Sequence, residues 1–366
     1  MMPKIAVLIC LALLPLVESA SAQIVTPLEV VREANLPKDV YDIVAIGGLK
    51  AEIQCDAEQN LWIPGVRGYS STISSLVRFG SKNATLHIDI DRNAKLKNGS
   101  IEYFSPLRDG GALALVRTVA EYNMIDGRPT RPKRYADTFA VTFGASGEIS
   151  DISQLKIPLL EEEVTAVARL KNGWLTAGYT YDPATIEMHV HLFNEAGSRA
   201  REVTLPDGKS KASRTGSAEF AQVFRPTVLS AEHGQLLVFR GFTTQSLYTF
   251  SDAGDLLATT KLNPDGVDFW SPRLNGNSLF VQGDVQPEQI GIADGVPVHR
   301  LRSAFPIFDL TKGRITEVLT WMDSGTAACF DGSHVIVLQE VETGEGATWR
   351  ILTLQRAVPQ TPRPAT

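Results

Sequence analysis

Six times along the chain, a polar turn containing Gly or Asn runs directly into a short apolar strand. The copies are Gln59-Asn60-Leu61-Trp62-Ile63, Gly110-Gly111-Ala112-Leu113-Ala114-Leu115, Asn172-Gly173-Trp174-Leu175, His233-Gly234-Gln235-Leu236-Leu237-Val238, Gly276-Asn277-Ser278-Leu279-Phe280-Val281 and Gly332-Ser333-His334-Val335-Ile336-Val337. Their anchors Leu61, Leu113, Leu175, Leu236, Leu279 and Val335 lie between 43 and 62 residues apart. Tight hairpin turns need positive φ, which Gly and Asn supply, and the apolar runs suit strands buried on both faces.

A second pattern follows each of the first five copies. An alternating strand ends in Phe79, Phe143, Phe193, Phe250 or Phe308, and a polar turn then leads to another alternating strand. Gly147, Gly197, Gly254 and Gly313 sit in those turns. Each unit therefore reads as four antiparallel strands, and no long helical period appears after the N-terminal segment. The sixth unit reaches only Trp349 to Leu354 before a Pro-rich tail, so it lacks a fourth strand. Thr26 to Ala34, an alternating segment near the N-terminus, supplies it. The expectation is an all-β, six-bladed β-propeller closed by an N-terminal strand that completes the last blade, which leaves no open sheet edge. Self-similarity on a scale of about 40 to 60 residues favours radial repetition over a β-sandwich.

On these strand and turn patterns, residues 26 to 356 resemble the bacterial six-bladed propellers of the NHL-like and TolB-like types. That class includes lyases, lactonases and interaction modules, so the resemblance implies a fold and leaves the function open.

The 366 residues divide into a signal peptide (1–22), one propeller domain (23–357) and a disordered Pro-rich tail (358–366). Lys4, the apolar run Ile5 to Val17 and the small residues around Ala20-Ser21-Ala22 have the order of a cleavable secretory signal. The expected location is periplasmic or extracellular, with no membrane span in the mature chain. A net charge of -6 argues against nucleic acid as a partner. Export favours disulfides, and Cys55 and Cys329 remain after cleavage. At like places on inner strands of neighbouring blades, their Cα atoms would exceed the ~7 Å reach of a bridge, so the expectation is that they do not pair.

Two long connections between second and third strands stand out: Glu121 to Asp137, with Arg128, Arg131, Lys133 and Arg134, and Asp284 to Ala304, with His299, Arg300 and Arg302. They belong to opposite blades and should be loops flanking one end of the ring. Lys209, Lys211 and Arg214 fall on the same end, which suggests an anionic ligand. Charged residues also lie where inner strands should begin: Lys50 or Glu52, Glu102, Glu163, Arg225, Asp268 and Asp323. The expected ligand-binding set is Glu102, Glu163, Arg225, Asp268, Trp270 and Arg273. Trp270 would stack on a ligand ring.

The expected function is a binding or interaction scaffold for a protein, peptide or glycan, acting as a monomer without a cofactor. The alternative is a metal-dependent hydrolase or lyase. Lactonases within the resembling class imply carboxylate ligands at the channel mouth, here Glu102, Glu163 and Asp268 around a Ca²⁺, although no Asn partners are evident. His189-Val190-His191 puts two imidazoles on one strand face but shows no third ligand in sequence, so it reads as a structural pair. No G-x-S-x-G, P-loop or dinucleotide fingerprint occurs, and no catalytic residue is assigned.

Overall fold

A computed structural model describes residues 24–36, 53–66, 72–80, 85–157, 163–181, 185–206, 208–211, 227–232, 235–240, 245–262, 269–284, 288–293, 296–300, 303–344 and 346–357. The proposed signal peptide and the Pro-rich tail lie outside them. Among the described residues the protein is all-β, with one 3₁₀ turn at Ile90–Arg92. No described helix is long and apolar enough to cross a membrane.

After β1 (Ile24–Asn35), β2 (Gln54–Cys55), β3 (Leu61–Val66), β4 (Ile73–Phe79) and β5 (Thr85–Asp89) pair in sequence order. The same order holds for β6 (Gly99–Pro106), β7 (Ala112–Ile125), β8 (Arg128–Phe143) and β9 (Ile149–Leu155). It recurs in β10 (Glu163–Leu170), β11 (Gly173–Tyr181), β12 (Thr185–Phe193) and β13 (Arg199–Val203), where β14 (Lys209–Lys211) also pairs with β12. A fourth sheet contains β15 (Thr227–Glu232), β16 (Gln235–Arg240), β17 (Gln245–Ser251) and β18 (Leu256–Leu262).

The remaining long strands form one eight-stranded sheet. One half holds β19 (Phe269–Asn275), β20 (Ser278–Asp284), β23 (Ser303–Asp309) and β24 (Arg314–Trp321). The other holds β25 (Thr326–Phe330), β26 (His334–Thr343) and β27 (Gly346–Arg356). The two halves meet at β1. Its first residues, Ile24 to Pro27, run parallel to β24, and Leu28 to Asn35 run antiparallel to β27. The N-terminal strand therefore pairs beside Trp349 to Leu354. A two-stranded hairpin, β21 (Glu288–Ala293) with β22 (Val296–Arg300), lies between β20 and β23.

The first strands touch in a cycle: β2 with β6, β6 with β10, β10 with β15, β15 with β19, β19 with β25, and β25 with β2. The arrangement is propeller-like. Apolar side chains on both sheet faces explain why the units pack side by side. Trp62 and Trp174 are fully buried, as are Phe143, Phe250, Phe280 and Phe308. Burying such a side chain contributes about 1.5–3 kcal/mol.

Turn chemistry joins one unit to the next. In β12–β13, Asn194 N–H donates to Ser198 O at 3.0 Å and Gly197 adopts φ 70°. A Cβ at Gly197 would lie 1.8 Å from Gln154 O in the preceding unit. Only glycine permits both the left-handed backbone and that approach. Its carbonyl accepts from Lys156 N–H at 2.9 Å. The equivalent turn in the next unit donates Gly254 N–H to Ser251 O and accepts Arg201 Nη2 at Gly254 O.

A β-bulge recurs between the first and second strands. The register shifts at Ile101/Tyr103, Val164/Ala166, Val228/Ser230, Trp270/Arg273 and Ala327/Cys329. One extra residue on the first strand breaks the two-residue alternation there.

Two expectations need correction. The Glu121 to Asp137 connection is not a loop. β7 and β8 continue as a paired arm, from Val119↔Tyr135 to Ile125↔Arg128, around a turn with positive φ at Asp126 and Gly127. Much of Asp284 to Ala304 likewise forms the β21–β22 hairpin. Asp126-Gly127 is the dipeptide that a two-residue hairpin turn prefers, so this arm was detectable in sequence. The second correction is that Cys55 and Cys329 are disulfide-bonded, with Cα atoms 5.5 Å apart. β2 packs against β25, which puts the two cysteines within bonding reach.

Candidate functional site

Three places hold polar residues that the fold gathers from separate elements. The first is a cavity of about 400 Å³ lined by five of the six first strands and their following turns. Gln54, Arg108, Thr227, Arg273, Asn275 and Asp331 contribute polar groups. In four of those units the lining residues come from the end of the first strand, not its beginning. Arg273, an expected ligand-binding residue, lies here. Its Nε donates to Ala328 O at 3.0 Å, its Nη1 to Pro272 O at 2.9 Å and its Nη2 to Ile53 O. The guanidinium thus ties three units together through backbone carbonyls. Tyr103, in the first strand of the second unit, donates its hydroxyl to Val228 O in the first strand of the fourth at 2.8 Å. Both residues are buried, so a side chain of the second unit reaches the backbone of the fourth in the interior.

The second place joins Glu102 and Glu163. Glu102 occupies the bulge of β6 and is buried. Tyr135 donates its hydroxyl to Glu102 Oε1 at 2.8 Å. Arg117, also buried, stacks over the Tyr135 ring at 3.8 Å and reaches Glu163 Oε2 at 3.6 Å. Burial and the neighbouring Glu102 charge push the Tyr135 phenol well above its ordinary range, so it stays a donor. Glu163 itself is exposed. These carboxylates do come together, through a tyrosine and an arginine. Asp323 is exposed and accepts from Ser324 N–H, while its carbonyl receives the Ser303 hydroxyl. Trp270 lies in β19 opposite Gln282, with its side chain outside the described set. Lys50, Glu52, Arg225 and Asp268 lie outside the described residues.

The third place is one that sequence reasoning set aside. His189 and His191 stack on β12 with ring centroids 5.9 Å apart. The adjacent strand supplies a carboxylate, Glu202, directly opposite His191. One ligand atom from each of the three lies within 4.8 Å of the others. His189 Nδ1 is 3.1 Å from Glu202 Oε1, and its Nε2 is 2.9 Å from Thr180 Oγ1. Arg199 Nη2 donates to Glu202 Oε2 at 2.7 Å. Hydrogen bonding to His189 holds the Glu202 carboxyl below its ordinary range. Glu202 is eleven positions beyond His191, across a turn, so only the register of β12 against β13 reveals the group.

No protein-family model matches the chain, and no curated protein does. Among solved structures, it is similar to a protein of unknown function from Bacteroides caccae, with TM-score 0.43 and 11% identity over 74% of this chain and 81% of that one. It is similar to BamB from Moraxella catarrhalis, with TM-score 0.34 and 12% identity over 90% and 99%. A third is a family 117 glycoside hydrolase produced by the marine bacterium Zobellia galactanivorans, with TM-score 0.37 and 11% identity over 71% and 86%. Likeness at this level identifies neither an activity nor a partner.

Proposed function

We propose that the protein is an exported, six-bladed propeller that works as a binding scaffold in the periplasm or outside the cell. Closure by β1 and the cycle of first strands support the ring. The β7–β8 arm carries the binding role. Residues Val119 to Tyr135 extend past both flanking strands of their sheet. Met124 and Ile125 at its tip are 58% and 62% exposed, Arg128 stands exposed opposite Ile125, and Arg134 is exposed farther down the arm opposite Glu121. An apolar tip with cationic flanks fits a protein or peptide partner that presents acidic groups around an apolar contact. The arm and the β21–β22 hairpin both connect second and third strands, so repetition of the unit puts both on one end of the ring. A side-chain contact through the interior, Tyr103 to Val228, favours a scaffold over a channel-mouth enzyme.

A photo-crosslinking residue at Ile125 tests this reading in cells of the source organism. It should capture a partner that one at Leu257, an exposed outer-strand position, does not. Met124→Asp with Ile125→Asp should abolish the capture without changing the melting temperature. Crosslinks only from outer-strand positions would remove the arm from the function.

A further inference from the structure

We propose that His189, His191 and Glu202 form a zinc-binding site with one open coordination position. The proposal is independent of the scaffold reading. Two imidazoles at alternate positions of a strand project from the same face. A carboxylate from the neighbouring strand completes three ligands, the number at which zinc sites keep a position for water or substrate. His189 and Glu202 already stand 3.1 Å apart, near the ~3.3 Å that two ligands reach around a tetrahedral ion with bonds of about 2.0–2.1 Å.

The surrounding hydrogen bonds have the character that metal ligands need. Without a metal, His189 Nδ1–H donates to Glu202 Oε1; in the other tautomer, with Nε2–H donating to Thr180 Oγ1, the Nδ1 lone pair faces that carboxylate oxygen. Two acceptors at that distance repel unless a proton or a cation lies between them. Thr180 then fixes ring orientation, as partners outside the coordination sphere of metal-bound histidines do. His191 is 2% exposed and held rigidly by packing, whereas Glu202 is exposed enough to admit an ion from solvent. Arg199 is the opposing feature. Its bond to Glu202 Oε2 leaves Oε1 for the ion and weakens the carboxylate as a ligand. Two imidazoles and one carboxylate select zinc over Ca²⁺ or Mg²⁺, which prefer all-oxygen sets.

The test is calorimetric titration of untagged, chelator-treated protein with Zn²⁺, with Ca²⁺ as the comparison ion. One Zn²⁺ per chain should bind, with Ca²⁺ at least tenfold weaker. Glu202→Gln and His189→Gln should each weaken Zn²⁺ at least tenfold. Arg199→Ala should strengthen it severalfold by freeing the second carboxylate oxygen. Co²⁺ in the parent protein should give the intense visible absorption of four-coordinate geometry, lost in Glu202→Gln. If His189→Gln melts lower without metal, the comparison rests on Glu202→Gln and Arg199→Ala, both at solvent-accessible positions. Absent Zn²⁺ binding, or binding that Glu202→Gln leaves within twofold of the parent, overturns the site.

Discussion

Cys55 and Cys329, 274 residues apart, are covalently joined between the first strand of the first unit and the first strand of the last. The bond spans the place where the chain returns on itself. A hydrogen bond crosses the same seam, Gln59 Nε2 donating to Asp331 Oδ2 at 2.8 Å, and within the last unit Arg350 Nη1 donates to Glu33 Oε1 on the N-terminal strand at 2.8 Å. A loop of that length removes much entropy from the unfolded chain. The chain-entropy estimate is about 5.6 kcal/mol, slightly above the range that bridges usually deliver. Reduction, or Cys55→Ser with Cys329→Ser, should lower the melting temperature by several degrees. Differential scanning calorimetry with and without reductant checks this. Equal melting in both would mean that the bridge contributes nothing to stability.

Acid should loosen the seam in a defined window. Burial raises the Asp331 carboxyl, but bonds from Gln59, the His334 and Ser333 amides and the His334 ring together bring it down to about 2. An unfolded aspartate titrates near 3.9. A depressed folded value contributes stability that is present above the unfolded value and lost as pH falls through the folded one. Stability should therefore drop from about pH 4 toward pH 2, and Asp331→Asn should flatten that part of the curve. Glu317, held low by its paired bonds to Arg356, acts in the same sense. Chemical denaturation at successive pH values measures both.

Gly197→Ala should destabilise by more than about 1 kcal/mol, because φ is 70° and the new Cβ meets Gln154 O. Gly127→Ala, at the exposed arm tip with nothing within 4 Å, should cost less despite its φ of 74°. The difference between the two midpoints isolates the contact with the preceding unit from backbone strain. Equal losses would show that the approach to Gln154 is unimportant.

Tyr135→Phe removes the donor to a buried carboxylate. Leaving Glu102 without that bond should cost about 1–3 kcal/mol. Tyr135→Phe combined with Glu102→Gln should recover part of the loss, since the acceptor no longer carries charge. A double-mutant cycle of denaturation midpoints gives the coupling, and strict additivity would contradict the contact.

Much of the architecture was legible from residues alone. Turn glycines, terminal phenylalanines and alternating strands are local signals, so the four-stranded units and the partner of Thr26 to Ala34 could be read in order. Asp126-Gly127 likewise marks the β7–β8 arm locally, although the length of the connection by itself suggests a loop. Other features have no local signature. A bulge shifts alternation by one residue, so Glu102 could not be given a direction from periodicity. The distance between Cys55 and Cys329 depends on where the cycle of units ends. Glu202 meets His189 and His191 only because β13 folds back on β12 in one register. Sequence determined the repeating unit, since its causes lie within a few residues. Tertiary structure decided which distant residues share a site, since that depends on register, bulges and the packing of one unit against another.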